Sequence, residues 1–198
     1  MFRTKSFAAI LLGGALAALP AFSQEVGRSE VSVQAFGSFV KNTTNDGVQQ
    51  GATNSGGILA NYRFFFSDSH GVEVNYGYSL NTQTYGLAAG TAGIKSYQHE
   101  VTAAYVYRHA MRGFTPFVEA GAGSLLFDPT DAPGASTQAR AAFVYGGGAD
   151  FNISKRVFIR AEYRGFVYDS PAFGLATAIG PDRVTHRAEP SVGFGYRF

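Results

Sequence analysis

The chain contains no cysteine and no tryptophan. Without cysteine there is neither a disulfide framework nor a site for a lipid anchor on a thiol. Charged residues make up only 15% of the 198. Past residue 23 no apolar run approaches the roughly 20 residues of a membrane-spanning helix, which removes helical membrane proteins from consideration. An excess of one charge sign is missing too. Once Arg3 and Lys5 are set aside with the leader described next, the remaining bases equal the 14 acids. Nucleic-acid binding therefore finds no support in charge. What the chain does have is glycine and aromatics, with 25 Gly, 18 Phe and 11 Tyr.

The N-terminus reads as an export signal. Arg3 and Lys5 precede a short apolar run from Phe7 to Leu19, Pro20 breaks it, and Ala21-Phe22-Ser23 offers small residues at a cleavage point before Gln24. We expect residues 1–23 to be a cleaved signal peptide and residues 24–198 to form one domain.

That domain alternates. The stretch Arg187 to Phe198 places Ala188, Pro190, Val192, Phe194, Tyr196 and Phe198 on one parity, and Arg187, Glu189, Ser191, Gly193, Gly195 and Arg197 on the other. Side chains of a strand point to opposite faces in turn, so this is a strand with one greasy and one polar face. The same pattern recurs over 30–40, 57–66, 71–80, 97–108, 114–126, 139–152 and 157–168, making eight strands. Tight turns join strands two to three, four to five and six to seven. Longer joins, over 41–56, 81–96, 127–138 and 169–186, separate the others. Short turns at one end and long loops at the other suit an all-β, eight-stranded antiparallel transmembrane β-barrel, an up-and-down meander with both termini on the periplasmic side.

Charge decides which face meets lipid. An eight-stranded ring is only wide enough inside for side chains, so the polar parity fills the lumen and the apolar parity meets hydrocarbon. The expected lumen ion network is Arg63, Glu73, Glu100, Arg108, Glu119, Arg140, Asp150, Arg160, Glu162, Arg164, Glu189 and Arg197. Counting from the turns sets Arg63 opposite Glu73, Asp150 opposite Arg160, and Glu30 near Arg197, with Arg108 and Glu119 a few positions out of register. An unpaired buried charge is costly, and truncating one member, as in Glu73→Ala, is expected to cost roughly 3–5 kcal/mol. Phe64, Phe66, Tyr105, Tyr107, Phe114, Phe151, Tyr196 and Phe198 gather at the short-turn end as an interfacial girdle. Pro116 and Pro190 lie inside strands, where each removes a ladder donor, so a bulge or weakened pairing is expected at both.

No catalytic, cofactor or metal constellation stands out. His70, His99, His109 and His186 have no Ser two residues on, as a barrel-borne lipid hydrolase would need, and no two are spaced for a metal. Gly146-Gly147-Gly148 and Gly193-x-Gly195 precede no helix and are not phosphate loops.

The alternation, the turn layout, the segment Pro116-Phe117-Val118-Glu119-Ala120-Gly121-Ala122-Gly123 and the final Tyr196-Arg197-Phe198 together resemble the small eight-stranded outer-membrane proteins of the OmpA transmembrane-domain, OmpX and opacity-protein type. The resemblance covers residues 24–198. It implies a monomer in the outer membrane of a Gram-negative-type envelope, and a role for Phe194, Tyr196 and Phe198 as the signal read by the barrel-assembly machinery. Its partners would be outer-membrane lipid and a ligand met by the extracellular loops; no cofactor is implied. Function is expected to be structural or surface-interacting rather than enzymatic. A narrow passive pore for small ions or solutes is the runner-up, and a lipid-modifying enzyme is third.

Overall fold

The computed structural model describes residues 28–45, 48–87, 90–174 and 184–198. The expected signal peptide over residues 1–23 lies outside them. Ten strands run in chain order: β1 (Ser29–Val40), β2 (Thr43–Asn45), β3 (Val48–Ala52), β4 (Ser55–Phe65), β5 (His70–Leu87), β6 (Gly90–Arg108), β7 (Phe114–Pro129), β8 (Gln138–Asn152), β9 (Val157–Asp169) and β10 (Val184–Arg197). There is no helix among the described residues.

Eight of these strands form a ring in which every neighbour is antiparallel. β1 pairs with β4 on one side and with β10 on the other, and the remaining strands follow in sequence order. Closure matters because hydrocarbon offers no hydrogen bonds. A sheet with an open edge would leave a row of bare N–H and C=O groups in lipid, at several kcal/mol each.

Two of the expected loops prove to be strand. A tilted crossing needs only about 9–11 residues, yet β5 has 18 and β6 has 19. Their ladder runs unbroken from His70↔Tyr107 to Leu87↔Gly90, through the described residues of the expected loop over 81–96. The segment over 41–56 likewise holds β2 and β3, with β3 pairing onto β5 from Gln49↔Gly86 to Ala52↔Gln83. Above the long-loop end the chain thus carries a four-stranded sheet, β2-β3-β5-β6, in place of two open loops.

The prolines behave differently from each other. Pro116 stays in register with Ala149. Its carbonyl accepts from His109 N at 3.0 Å, so its missing N–H points to the β6 side, where β6 has already ended at Arg108. The expected bulge is absent there because no ladder donor is lost. At Pro190 the pairing does weaken. The β1–β10 ladder breaks between Phe36↔Ser191 and Phe39↔Ala188, then resumes in the same register.

The exterior of the wall is apolar, with Val33, Ile58, Val72, Val74, Val101, Val118, Val192 and Phe194 exposed, while the acids and most of the arginines along the strands are buried inside and exposed charges keep to the two rims. Aromatic side chains flank this band. Phe66, Tyr105, Tyr107, Phe114, Phe151 and Tyr196 are exposed at the short-turn end, and Tyr78, Tyr97, Phe143 and Tyr145 are exposed toward the other. The core of the molecule is its lumen.

Candidate functional site

The lumen divides into layers. Nearest the short turns lies a floor of Phe65, Val106 and Phe117, with Phe158 beside it, all buried. These sit on the polar parity of their strands. The charged layer rests on them directly, the Arg108 guanidinium lying 3.4 Å from the Phe65 ring centroid and that of Arg63 3.8 Å from Phe117. A desolvated guanidinium over a ring face is held there by the ring quadrupole.

The first charged layer draws a residue from every strand of the ring. Arg63 on β4 donates through Nε to Glu73 on β5, and its Nη2 lies 3.3 Å from Glu119 and 3.2 Å from Glu162. These three carboxylates each place an oxygen within 4.8 Å of the others, all buried. The Arg63 guanidinium already fills the place a cation would take among them. On β9, Arg160 binds Asp150 twice and also meets Glu30 at 3.1 Å. Glu30 Oε1 in turn accepts from Arg108 Nη1 and Arg197 Nε, both at 2.7 Å.

A second charged layer lies nearer the extracellular end, and it is a closed square. Arg164 Nη2 reaches Glu100 at 2.6 Å and Glu189 at 2.8 Å, while Arg187 Nη2 reaches the same two carboxylates at 2.5 and 2.8 Å. Arg187 Nη1 also donates to Gln98 Oε1 at 2.9 Å. Each guanidinium therefore bridges both acids, and two positive groups offset two negative ones.

Of the twelve residues expected in the lumen network, the structure brings eleven into these two layers. Arg140 stands half-buried on β8 opposite Leu125. Arg108 is in register with Phe117 and binds Glu30 rather than Glu119, which belongs to Arg63. Glu30 and Arg187 are full members that the expected set omits. Arg187 is buried and shares the parity of Glu189 and Arg197, which was the available signal. Phe194 and Tyr196 lie exposed on the outside of β10, with Phe198 just beyond it.

The third layer, at the mouth, is apolar. Tyr85, Ile94, Leu125, Phe127, Ala142, Val144, Phe166, Tyr168, Ala172 and Phe173 form one buried cluster. Phe173 comes from the segment after β9, not from the wall, and is completely buried. Its ring stands edge-on to Phe127, centroids 6.5 Å apart. Three elements hold that segment down. Gln138 Oε1 accepts from the backbone N–H groups of Ala172 and Phe173 at 2.8 and 2.9 Å. Ser136 donates to the Phe173 carbonyl, from its backbone N–H at 2.9 Å and its hydroxyl at 3.2 Å. Tyr85 OH donates to the Pro171 carbonyl at 2.7 Å. Phe173 is also the one non-glycine among the described residues with positive φ, at 51°. An aromatic stopper thus closes the lumen above the Arg187 layer. The sequence signal for it was weak, a lone Phe in a Gly/Ala-rich segment.

Besides Glu73 and Glu100, the wall on the β5–β6 side carries uncharged polar groups. Asn75, Asn81, Ser96 and Thr102 are all buried there, and Asn75 Oδ1, Asn81 Nδ2, Ser96 Oγ and Thr102 Oγ1 have no hydrogen-bond partner in the protein.

A sequence model described as the outer membrane protein beta-barrel domain matches residues 7–198. No curated protein sequence matches. Among solved structures, OprG from Pseudomonas aeruginosa covers 88% of this chain and 97% of its own, at 14% identity and a TM-score of 0.62. Neisserial surface protein A covers 88% of this chain and 100% of its own, at 14% identity and a TM-score of 0.64. Ail, the attachment invasion locus protein of Yersinia pestis, covers 88% and 100% at 21% identity and a TM-score of 0.53. It has also been solved with the heparin analogue sucrose octasulfate. At these identities the likeness is one of fold.

Proposed function

The chain belongs to the outer membrane protein beta-barrel domain family, and within it we propose a non-enzymatic barrel with a filled lumen, whose role is structural or surface-interacting through its extracellular end. The observation that carries this reading is the layered filling: two ion-paired layers with the Phe173 stopper above them. Side chains that must find partners in a dry ring consume the space a solute would need. The β2-β3-β5-β6 sheet supplies the surface that such a barrel would offer to a partner outside the cell.

Single-channel recording in a planar bilayer tests it. We expect a persistently silent membrane after insertion, and stable conductance steps would overturn the closed reading. The second reading, a narrow passive pore, draws support from the unpartnered polar atoms along the β5–β6 wall, which suit a file of water. The same recording separates the two.

The ligand seen with Ail does not transfer on charge. The exposed charged side chains near this chain's outer rim, among the described residues, are Asp128, Asp131 and Asp169 against Lys41 and Lys95. That balance does not favour a polysulfated ligand. Residues 1–23 are proposed to be removed on export. N-terminal sequencing of the protein from outer-membrane fractions should begin at Gln24, and a start at Met1 would refute it.

A further inference from the structure

The two rims of the barrel differ in charge. At the short-turn end, the β6–β7 turn exposes Arg112 and the β8–β9 turn exposes Lys155 and Arg156. Exposed Arg28 and His109 lie at the same end, and the exposed acid there among the described residues is Asp68, in the β4–β5 turn on the other side of β5 and β6. The opposite rim exposes, among the described residues, Asp128, Asp131 and Asp169 against Lys41 and Lys95.

The two turns that carry these cations stand side by side over a greasy floor. Asn152 N donates to Gly113 O at 3.0 Å, which fastens the two turns side by side. Ser154 Oγ accepts from the N–H groups of Arg156 and Val157 at 3.2 and 3.0 Å, so the Lys155-Arg156 turn is ordered before any ligand arrives. Phe114 and Phe151 stack beneath, centroids 6.4 Å apart. Met111 is 45% exposed and Ile153 60% exposed, both in the turns themselves and beyond the last rung of the ladder. Arg156 Nη1 donates to Tyr196 OH at 3.1 Å, which extends the patch to β10.

We propose that this surface binds the headgroup of an acidic phospholipid in the periplasmic leaflet. Arg112, Lys155 and Arg156 hold the phosphate, and the acyl chains lie on Phe114, Phe151 and Ile153. Cations set just outside an aromatic belt meet lipid phosphate at the depth where it sits. A soluble anion would use the charges but leave Met111 and Ile153 uncovered in water, and that favours a lipid.

The test uses the whole protein, reconstituted in nanodiscs of phosphatidylcholine mixed with phosphatidylglycerol, released in mild detergent and weighed by native mass spectrometry. Phosphatidylglycerol should be retained over phosphatidylcholine. Each of Arg112→Gln, Lys155→Gln and Arg156→Gln should lower that enrichment about fivefold, the factor equivalent to ~1 kcal/mol per basic residue near an anionic surface. A Lys41→Gln/Lys95→Gln variant should leave it unchanged. Unheated gel mobility confirms that each variant is folded. Equal retention of both lipids, or an enrichment that survives the triple substitution, overturns the proposal. So does full displacement by glycerol phosphate, which would assign the patch to a soluble anion.

Discussion

Arg160 and Asp150 face each other across β9 and β8, and the guanidinium grips the carboxylate with both prongs, Nε to Oδ1 at 2.6 Å and Nη2 to Oδ2 at 2.8 Å. Such a fork is stronger and more directional than a single charged hydrogen bond. Removing its two halves should not cost the same. Arg160→Met leaves Asp150 facing Arg197 at 4.0 Å and takes a partner from Glu30, and should destabilise the barrel by ~3–5 kcal/mol. Asp150→Ala should cost less, because Glu30 at 3.1 Å and Glu73 at 3.6 Å still face the guanidinium. Combining Arg160→Met with Asp150→Ala should cost less than the two singles summed, since the double leaves no carboxylate at position 150 without its guanidinium. Urea unfolding in lipid vesicles, followed on unheated gels because the chain has no tryptophan, measures all three. By the same reasoning Glu73→Ala falls below the roughly 3–5 kcal/mol expected of an isolated pair, as Arg63 keeps Glu119 and Glu162.

Phe173 reverses the usual order of alanine and glycine. Its φ of 51° lies where a Cβ costs roughly 1–2 kcal/mol. Both Phe173→Ala and Phe173→Gly empty the stopper's place and should lose ~3–5 kcal/mol of packing. Glycine alone escapes the backbone penalty, so Phe173→Gly should melt at the higher temperature of the two. Alanine proving the more stable would show that the segment after β9 has another conformation.

Two glycines on the lumen side differ in what a methyl group would strike. A Cβ at Gly77 would meet the carboxyl end of Glu100, while one at Gly121 would run into the backbone at Ala103 and Ala104. A flexible side chain can move aside and a paired strand cannot. Gly121→Ala should therefore destabilise the barrel more than Gly77→Ala, while Gly77→Ala should disturb the Glu100–Arg164 contact. Unfolding midpoints rank the pair.

Val101 lies on the outside of β6 between the aromatic positions Tyr97 and Tyr105. Val101→Arg puts a guanidinium in hydrocarbon and should cost ~2–4 kcal/mol in lipid vesicles, against ~0–1 kcal/mol for Met111→Arg in the β6–β7 turn. Equal costs would place Val101 outside the bilayer.

Strand parity made most of the wall legible, because a one-residue slip would have sent Glu73 and Arg160 into lipid. The partners Arg63–Glu73 and Arg160–Asp150 were legible for the same reason, being rungs next to a tight turn whose length fixes register. Contacts across the lumen were not. Arg63 with Glu119 and Glu162, or Glu100 with Arg187, join strands far apart in sequence, and alternation says nothing about which long side chains meet over the axis. The floor is not legible from alternation, because Phe65, Phe117 and Phe158 share the parity of the arginines while most aromatic side chains of the wall face lipid. The outer halves of β5 and β6 carry little strand signal because Asn81 to Ser96 is rich in Gly, Thr and Ala. There the ladder is flanked by β3 on one side, and only Tyr85 and Ile94 are buried in the apolar cluster at the mouth.

The interrupted rungs beside Pro190 fall on the junction between the first and last strands of the ring. Elsewhere each wall strand is zipped to both neighbours along its crossing, but here Gly37 and Ser38 lie across from Glu189 and Pro190 without a paired rung. Amide protons of β1 and β10 near this gap should exchange with deuterated water ahead of those in β5 and β6. When the barrel is pulled apart, it should come undone first along this line, where its two ends were joined.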